Sequence, residues 1–147
     1  MIAVGIDVSK SKSTVAILDS YGTVLATPFN MAHTQPEMNA LVSRLKAFDE
    51  PVTILLEYTG HYHYPVLKKL QDEGLPVCVV NPYQMKKYGD VEIHKAKTDK
   101  KDALRIATYS PLLINFLNSR LNLGQHIVRT ICMAKHKTNL ASHDTIP

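Results

Sequence analysis

The stretch IAVGIDVSKSKSTVAILD, residues 2–19, decides the fold of this chain. It holds two short apolar runs rich in β-branched residues, which are typical of buried strands. The first run closes on Asp7, and the polar segment VSKSK leads into the second. After the turn residues DSYG, a third run at residues 22–29, GTVLATPF, predicts a strand that forms a hairpin with the second.

Beyond this start, helical and strand patterns alternate. Apolar residues at a helical period alternate with short apolar runs, and Thr34 and Thr98 are candidate N-caps of two of the helices. A hairpin followed by βαβ units predicts an α/β fold, in which flanking helices cover a mixed sheet. The helices are predicted at residues 33–48, 64–74 and 98–110, and the further strands at residues 51–58 and 76–81.

The composition predicts a globular protein of about one domain. Hydrophobic residues make up 45% of the 147 residues, and no apolar run approaches the length of a membrane-spanning helix. The first residues lack the features of a signal peptide. Cys78 and Cys132 have no metal-ligand spacing, so we read both as reduced thiols. We therefore expect a cytoplasmic protein with no membrane partner.

The charge of the chain is unevenly distributed. Residues 1–83 carry six Lys and Arg against eight Asp and Glu, whereas residues 84–147 carry eleven against five. A basic half of this kind suits a phosphate backbone or an acidic partner. An ordinary solvated surface is the alternative.

Four acids stand where a metal site is expected. Asp7 and Glu57 close two strands that we expect to be neighbours, so that their carboxylates meet at one edge of the sheet. Asp99 and Asp102 share one helical face. Each acid also has an ordinary alternative role. Asp7 would form a turn, Glu57 would be a solvated side chain, and Asp99 and Asp102 would open a helix. If the four converge, their repulsion requires a cation, and oxygen ligands select Mg²⁺, with Mn²⁺ as its substitute.

Three motifs resemble the N-terminal domain of the DEDD-type transposases of bacterial insertion sequences. This family includes the Piv-like DNA invertases and the bridge-RNA-guided recombinases. The motifs are GIDVSKSKSTVAILD, LLEYTGHYHYPVLKKLQDEGLPVCVVNPYQMKKY and KAKTDKKDALRIA. The resemblance covers residues 1–110 and implies a RuvC-like, ribonuclease H-like domain. Residues 111–147 are then a basic helical extension.

The resemblance also implies a site and an activity. It places the catalytic, magnesium-binding acids on Asp7, Glu57, Asp99 and Asp102. The expected activity is magnesium-dependent DNA cleavage and strand transfer during transposition, completed by a nucleophilic serine of a downstream domain that we expect this chain to lack. The implied partners are DNA, a guide (bridge) RNA and further copies of the chain, bound through the helical extension.

Other residues are predicted to line the same site. Lysines and one arginine are candidates for contact with the DNA backbone, with a solvated face as the alternative. Thr59, Gly60 and Tyr62 belong to the motif after the glutamate and are expected to shape the loop beside the metals. The tyrosines of this turn either stack on bases or pack on the sheet. The candidates for backbone contact are Lys10, Lys86, Lys87, Lys95, Lys97, Lys100, Lys101 and Arg105.

Three other functions remain open from the sequence. The chain is also compatible with a non-catalytic nucleic-acid-binding remnant, which predicts binding without cleavage. A stand-alone RuvC-type junction nuclease would use the same four acids without a serine. The first motif also resembles the phosphate-binding hairpin of sugar kinases and actin-like ATPases, although Ser9 stands where their loop usually has a glycine.

Overall fold

A computed structural model describes residues 1–58, 60–80 and 98–109 of the chain. The predicted order of strands and helices is confirmed within these ranges. The predicted extension at residues 111–147 lies outside them and stays a prediction. No helix within the described ranges is long and apolar enough to cross a bilayer. The elements in chain order are β1 (Ile2–Val8), β2 (Lys12–Leu18), β3 (Val24–Ala32), α1 (Gln35–Lys46), β4 (Val52–Glu57), α2 (Tyr64–Asp72), β5 (Val77–Val80) and α3 (residues 99–109).

The strands form one mixed sheet with the order β3-β2-β1-β4-β5. β2 pairs antiparallel with β3, as the turn residues predict, and also antiparallel with β1. β1 and β4 are parallel neighbours, and so are β4 and β5. The carboxyl ends of β1, β4 and β5 therefore lie at the same edge, so residues that close these strands share it. We call this edge the carboxyl edge of the sheet.

The strand β3 extends beyond its predicted end at residue 29. It continues to Ala32 because it pairs with β2 along the whole length of that strand, from Lys12 opposite Ala32 to Leu18 opposite Val24. Pro28 is accommodated because β3 is an edge strand and because its register with β2 shifts at this point, between the pairs Val15–Phe29 and Ile17–Ala26.

The helices α1 and α2 cover one face of the sheet. Alternate residues of β1 and β4, among them Ile6 and Leu56, form the main core with Leu45 of α1 and Leu70 of α2. All four side chains are at most 1% exposed. These large aliphatic groups hold this layer together through the burial of apolar area.

The helix α3 packs on the opposite face through small side chains. Ala3 and Ala16 of the sheet form a second buried cluster with Ala103 and Ala107 of this helix. At Gly5 the two backbones meet: a Cβ there would lie 2.2 Å from the carbonyl oxygen of Ala103 and 2.3 Å from the amide nitrogen of Ala107. Only glycine permits this approach, because backbone atoms cannot move aside as a flexible side chain can.

Glu73, directly after α2, links α1 to α2. Its two carboxylate oxygens accept hydrogen bonds from Lys46 Nζ and Lys69 Nζ, each at 2.7 Å. These two bonds lower the pKa of Glu73 from an ordinary value of 4.5 to about 2, and the bond from Lys46 has the larger effect. The carboxylate is partly open to solvent, so salt weakens the interaction.

We expect the substitution Gly5→Ala to lower the free energy of unfolding by about 1–3 kcal/mol, the usual cost of overpacking a tight core. Urea unfolding of the purified chain measures the difference. Gly22→Ala measures the cost of backbone strain alone, because Gly22 has a positive φ of 85° and, among the described residues, no atom lies within 4 Å of an added Cβ. A loss in Gly5→Ala of less than about 1 kcal/mol would contradict the close contact at Gly5.

We expect Glu73 to make the stability depend on pH in acid. Because its pKa is lower in the folded chain, its contribution is complete above the ordinary value of 4.5 and is lost as the pH falls toward 2. Thermal unfolding across this window should therefore show a shallower fall in Tm for Glu73→Gln than for the wild type. Asp72→Asn, which removes a carboxylate paired with Lys68 within α2, is the control. Parallel curves for wild type and Glu73→Gln would refute the linkage.

Candidate functional site

Asp7 and Glu57 are direct neighbours at the carboxyl edge of the sheet. They are register partners in the parallel ladder of β1 and β4, and both are half-buried. Side chains of paired residues project from the same face of a sheet. Since Asp7 stands two residues after Gly5, that face is the one covered by α3. The predicted meeting of the two strand acids is thus seen in the register.

The helix α3 begins at the same edge. Ala103 lies over Gly5, and Lys12 Nζ, at the start of β2, is 3.9 Å from Asp99 Oδ2. The first turn of α3 therefore lies beside the end of β1, where the chain turns from Ser9 into β2. Asp99 and Asp102 both belong to this turn, so the two helix acids approach the carboxyl edge from above the sheet.

Each helix acid is faced by a basic side chain. Lys12 pairs with Asp99, and both side chains are exposed. Arg105 Nη2 is 3.3 Å from Asp102 Oδ1, and the Asp102 side chain is only 16% exposed. Among the residues that the structure describes, the buried Nε of Arg105 finds no hydrogen-bond partner. Within residues 1–58, 60–80 and 98–109, no three His, Cys, Asp or Glu side chains form a group that could hold a metal ion.

The donors themselves suit a hard cation. Only carboxylate oxygens are offered by the two strand acids and the two helix acids, and this donor set is the one that Mg²⁺ and Mn²⁺ prefer. The position of α3 is set by its contact with Gly5, and Lys12 of β2 pairs with Asp99 across the two elements. The donor chemistry therefore suits a divalent ion, although within the described ranges no three of these side chains lie close enough together to hold one.

The acids of α3 also satisfy the ordinary role of helix-opening residues. Thr98 Oγ1 accepts a hydrogen bond from Lys101 N at 3.4 Å, which confirms the predicted N-cap. Asp99 and Asp102, in the first turn, favour the positive end of the helix dipole. This role and a role at a metal are compatible, because a carboxylate has oxygens enough for both.

The turn after Glu57 is held by aromatic and histidine rings. His63 is 4% exposed, and its Nδ1 lies 3.0 Å from Gly60 O. Its ring centroid is 5.3 Å from that of Tyr58 and 4.3 Å from that of Tyr64. Tyr62 does not join this cluster and is 43% exposed. Thr59, predicted to belong to the same loop, lies outside the described residues.

The predicted DNA-contacting residues divide into three groups. Lys10, Lys100 and Lys101 are exposed beside the carboxyl edge. Arg105 is engaged with Asp102. Sequence reasoning missed Lys12, because its approach to Asp99 joins residues that are distant along the chain. The other predicted lysines lie outside the described residues, namely Lys86, Lys87, Lys95 and Lys97.

Comparison with known proteins points to one family and one fold. The family model of IS110-type DEDD transposases, described as Transposase, matches residues 4–120. No curated protein sequence matches the chain. T. thermophilus RuvC in complex with a Holliday junction substrate is similar, with 16% identity over 79% of this chain and 96% of that chain, and a TM-score of 0.54. A second Thermus thermophilus RuvC structure is 17% identical over 80% of this chain and 94% of that chain, with a TM-score of 0.52. The RuvC-like, ribonuclease H-like fold is thereby confirmed.

We expect Lys12→Met and Asp99→Asn to change the free energy of unfolding by less than about 1 kcal/mol. Exposed ion pairs stabilise little, and the helix-dipole effect at Asp99 is of similar small size. Urea unfolding measures both variants against the wild type. A loss above about 2 kcal/mol would mean that the pair supports the fold, and that functional defects of these variants report instability.

Proposed function

Since this chain belongs to the family of DEDD transposases, we propose that it carries the acid site for magnesium-dependent DNA cleavage and strand transfer in transposition. The proposed ligands are Asp7, Glu57, Asp99 and Asp102. The observation that carries the proposal is the register of β1 and β4, in which Asp7 and Glu57 are direct partners at the edge where α3 begins. Two acids on a rigid ladder make a fixed base for the two acids on the helix.

The bound magnesium would supply Lewis-acid polarisation of the scissile phosphate. The residues of the chain do the rest. Asp7 and Glu57 of the sheet and Asp99 and Asp102 of α3 would hold the ion. Lys12 and Arg105 stand next to the helix acids and offset part of their negative charge. This lowers the repulsion that a phosphodiester meets when it approaches four carboxylates.

The exposed lysines at the start of α3 suit the DNA backbone. Lys100 and Lys101 are exposed, and Lys10 lies in the turn after β1 at the same edge. Basic side chains around an acid site let the polyanion bind while the acids remain available for the metal. We propose that these three lysines contact phosphates on either side of the bond that is cleaved.

The form of the DNA is the next element of the proposal. The similar RuvC structure was solved with a Holliday junction substrate, and we propose a branched DNA as the first substrate to test on this chain. Cleavage of such a branch with multiple turnover would favour the junction-nuclease alternative. A guide RNA and self-association through residues 111–147 remain predictions of the resemblance, as does the serine of a second domain.

The central test is a titration with Mn²⁺ by calorimetry. We expect the wild type to bind Mn²⁺, and we expect Asp7→Asn, Glu57→Gln and Asp102→Asn each to bind it about tenfold more weakly or worse, because each loses a charged ligand. The same variants should lose Mn²⁺-dependent cleavage of branched DNA.

Asp72→Asn is the matched control, since Asp72 is an exposed acid on α2 and pairs with Lys68. It should bind Mn²⁺ as the wild type does. If the folded wild type binds no Mn²⁺, or if the three site variants bind it unchanged, the assignment of the acids is wrong. DNA binding without metal binding would then support the non-catalytic alternative.

A further inference from the structure

The turn at residues 60–64 presents aromatic side chains at the same end of the sheet as the candidate acid site. It follows Glu57, the last residue of β4, and therefore begins at the carboxyl edge of the sheet. Gly60 adopts a positive φ of 58°, and its carbonyl accepts a hydrogen bond from His63 Nδ1 at 3.0 Å. Tyr64 N donates to His61 O at 3.3 Å. These bonds fix the backbone on both sides of Tyr62.

The rings of this turn have different roles in the structure. Tyr58 and Tyr64 flank the buried His63, and the ring of Tyr64 also stacks on that of His61, with the centroids 5.9 Å apart. Tyr62, between them in sequence, leaves 43% of its surface in water. The other rings of the turn thus pack on one another, and Tyr62 is the tyrosine of the turn that is open to solvent.

The position of Tyr62 separates it from the other exposed apolar side chains. Within the described residues, the remaining large exposed ones are Tyr21, Val24 and Leu25. All three belong to the hairpin of β2 and β3, whose turn lies at the opposite edge, because Leu18 pairs with Ala3 at the start of β1. Tyr62 alone of this set stands at the edge that carries Asp7 and Glu57.

We propose that Tyr62 stacks on an unpaired base of the DNA whose backbone lies at the acid site. This inference rests on the proposed function and adds to it a substrate class: DNA with an unstacked base beside the cleaved bond, in preference to an intact duplex. A base inside a duplex already stacks on its neighbours and has no free face, whereas an unpaired base offers one without the cost of opening a pair. Because the turn is already ordered, little conformational entropy is lost when the base binds.

Stacking on an aromatic side chain contributes about fivefold to a hundredfold in affinity per base. The contribution requires the ring and tolerates any base, so it confers a preference for DNA shape and not for sequence. His61, exposed and stacked on Tyr64, lies beside Tyr62 and widens the surface that a base or its sugar would meet.

The test uses the full chain and DNA that carries the fluorescent base 2-aminopurine. Three probes are compared: a duplex in which this base is unpaired, a fully paired duplex, and a single strand. Fluorescence anisotropy measures affinity, and quenching of 2-aminopurine reports stacking directly. The variants are Tyr62→Ala and Tyr62→Phe. Tyr21→Ala is the control, because Tyr21 is an exposed tyrosine in the turn between β2 and β3, away from the carboxyl edge.

We expect the wild type, Tyr62→Phe and Tyr21→Ala to quench the unpaired probe and to bind it more tightly than the paired duplex. Tyr62→Ala should bind the unpaired probe and the single strand at least about fivefold more weakly, without quenching, while its affinity for the paired duplex is unchanged. Its Mn²⁺ binding should equal that of the wild type, because Tyr62 offers no ligand that a hard cation prefers.

Two outcomes would overturn the inference and leave the proposed function standing: quenching by Tyr62→Ala as strong as by the wild type, or an equal loss of affinity for paired and unpaired probes. A different result, in which the wild type binds neither DNA nor Mn²⁺, would overturn the proposed function, and the inference with it.

Discussion

The approach of α3 to Gly5 is the contact on which the arrangement of this chain depends. A helix normally packs on a sheet with side chains between the two backbones, but here a Cβ at Gly5 would lie 2.2 Å from Ala103 O. The backbone of α3 therefore rests directly on β1. Asp102 immediately precedes Ala103, and Asp7 follows Gly5 by two residues on the same face. One glycine thus permits the close packing of the helix that carries Asp99 and Asp102 on the strand that carries Asp7.

Charge explains why acids and bases occur together at this edge. A group of carboxylates alone would repel itself and also repel a phosphate. Lys12 and Arg105 reduce both effects, since each lies within 4 Å of a helix carboxylate. Asp99 and Asp102 also gain from the dipole of α3, whose first turn Thr98 caps. The acids inside the lysine-rich segment are therefore stabilised locally by the same positive groups that favour a polyanion.

Much of the site was predictable from local patterns. Strand-like runs closed by Asp7 and Glu57, and an N-cap at Thr98, depend on neighbouring residues, and all three are found as expected. The role of Gly5 was not predictable, because a glycine inside a strand indicates a close approach without naming the partner. Lys12 was missed for the same reason: its contact with Asp99 exists only after α3 docks. The three tyrosines near Glu57 cannot be told apart from the sequence. In the structure, Tyr58 and Tyr64 pack against the buried His63, whereas Tyr62 is exposed.

The two faces of the sheet show how stability and function are divided. On one face, large aliphatic side chains of α1 and α2 bury much apolar area and anchor the fold. On the other face, α3 packs through Ala103, Ala107 and Ile106, and two of these three side chains are single methyl groups. Small side chains are the condition for the close approach, so the face that brings the acids together necessarily gives up hydrophobic stabilisation. Of the two ion pairs of the helix acids, that between Lys12 and Asp99 joins α3 to β2, whereas that between Asp102 and Arg105 lies within α3. The Lys12–Asp99 pair is exposed and stabilises little, so the docking of α3 depends on the backbone contact at Gly5 and on the small apolar cluster around it.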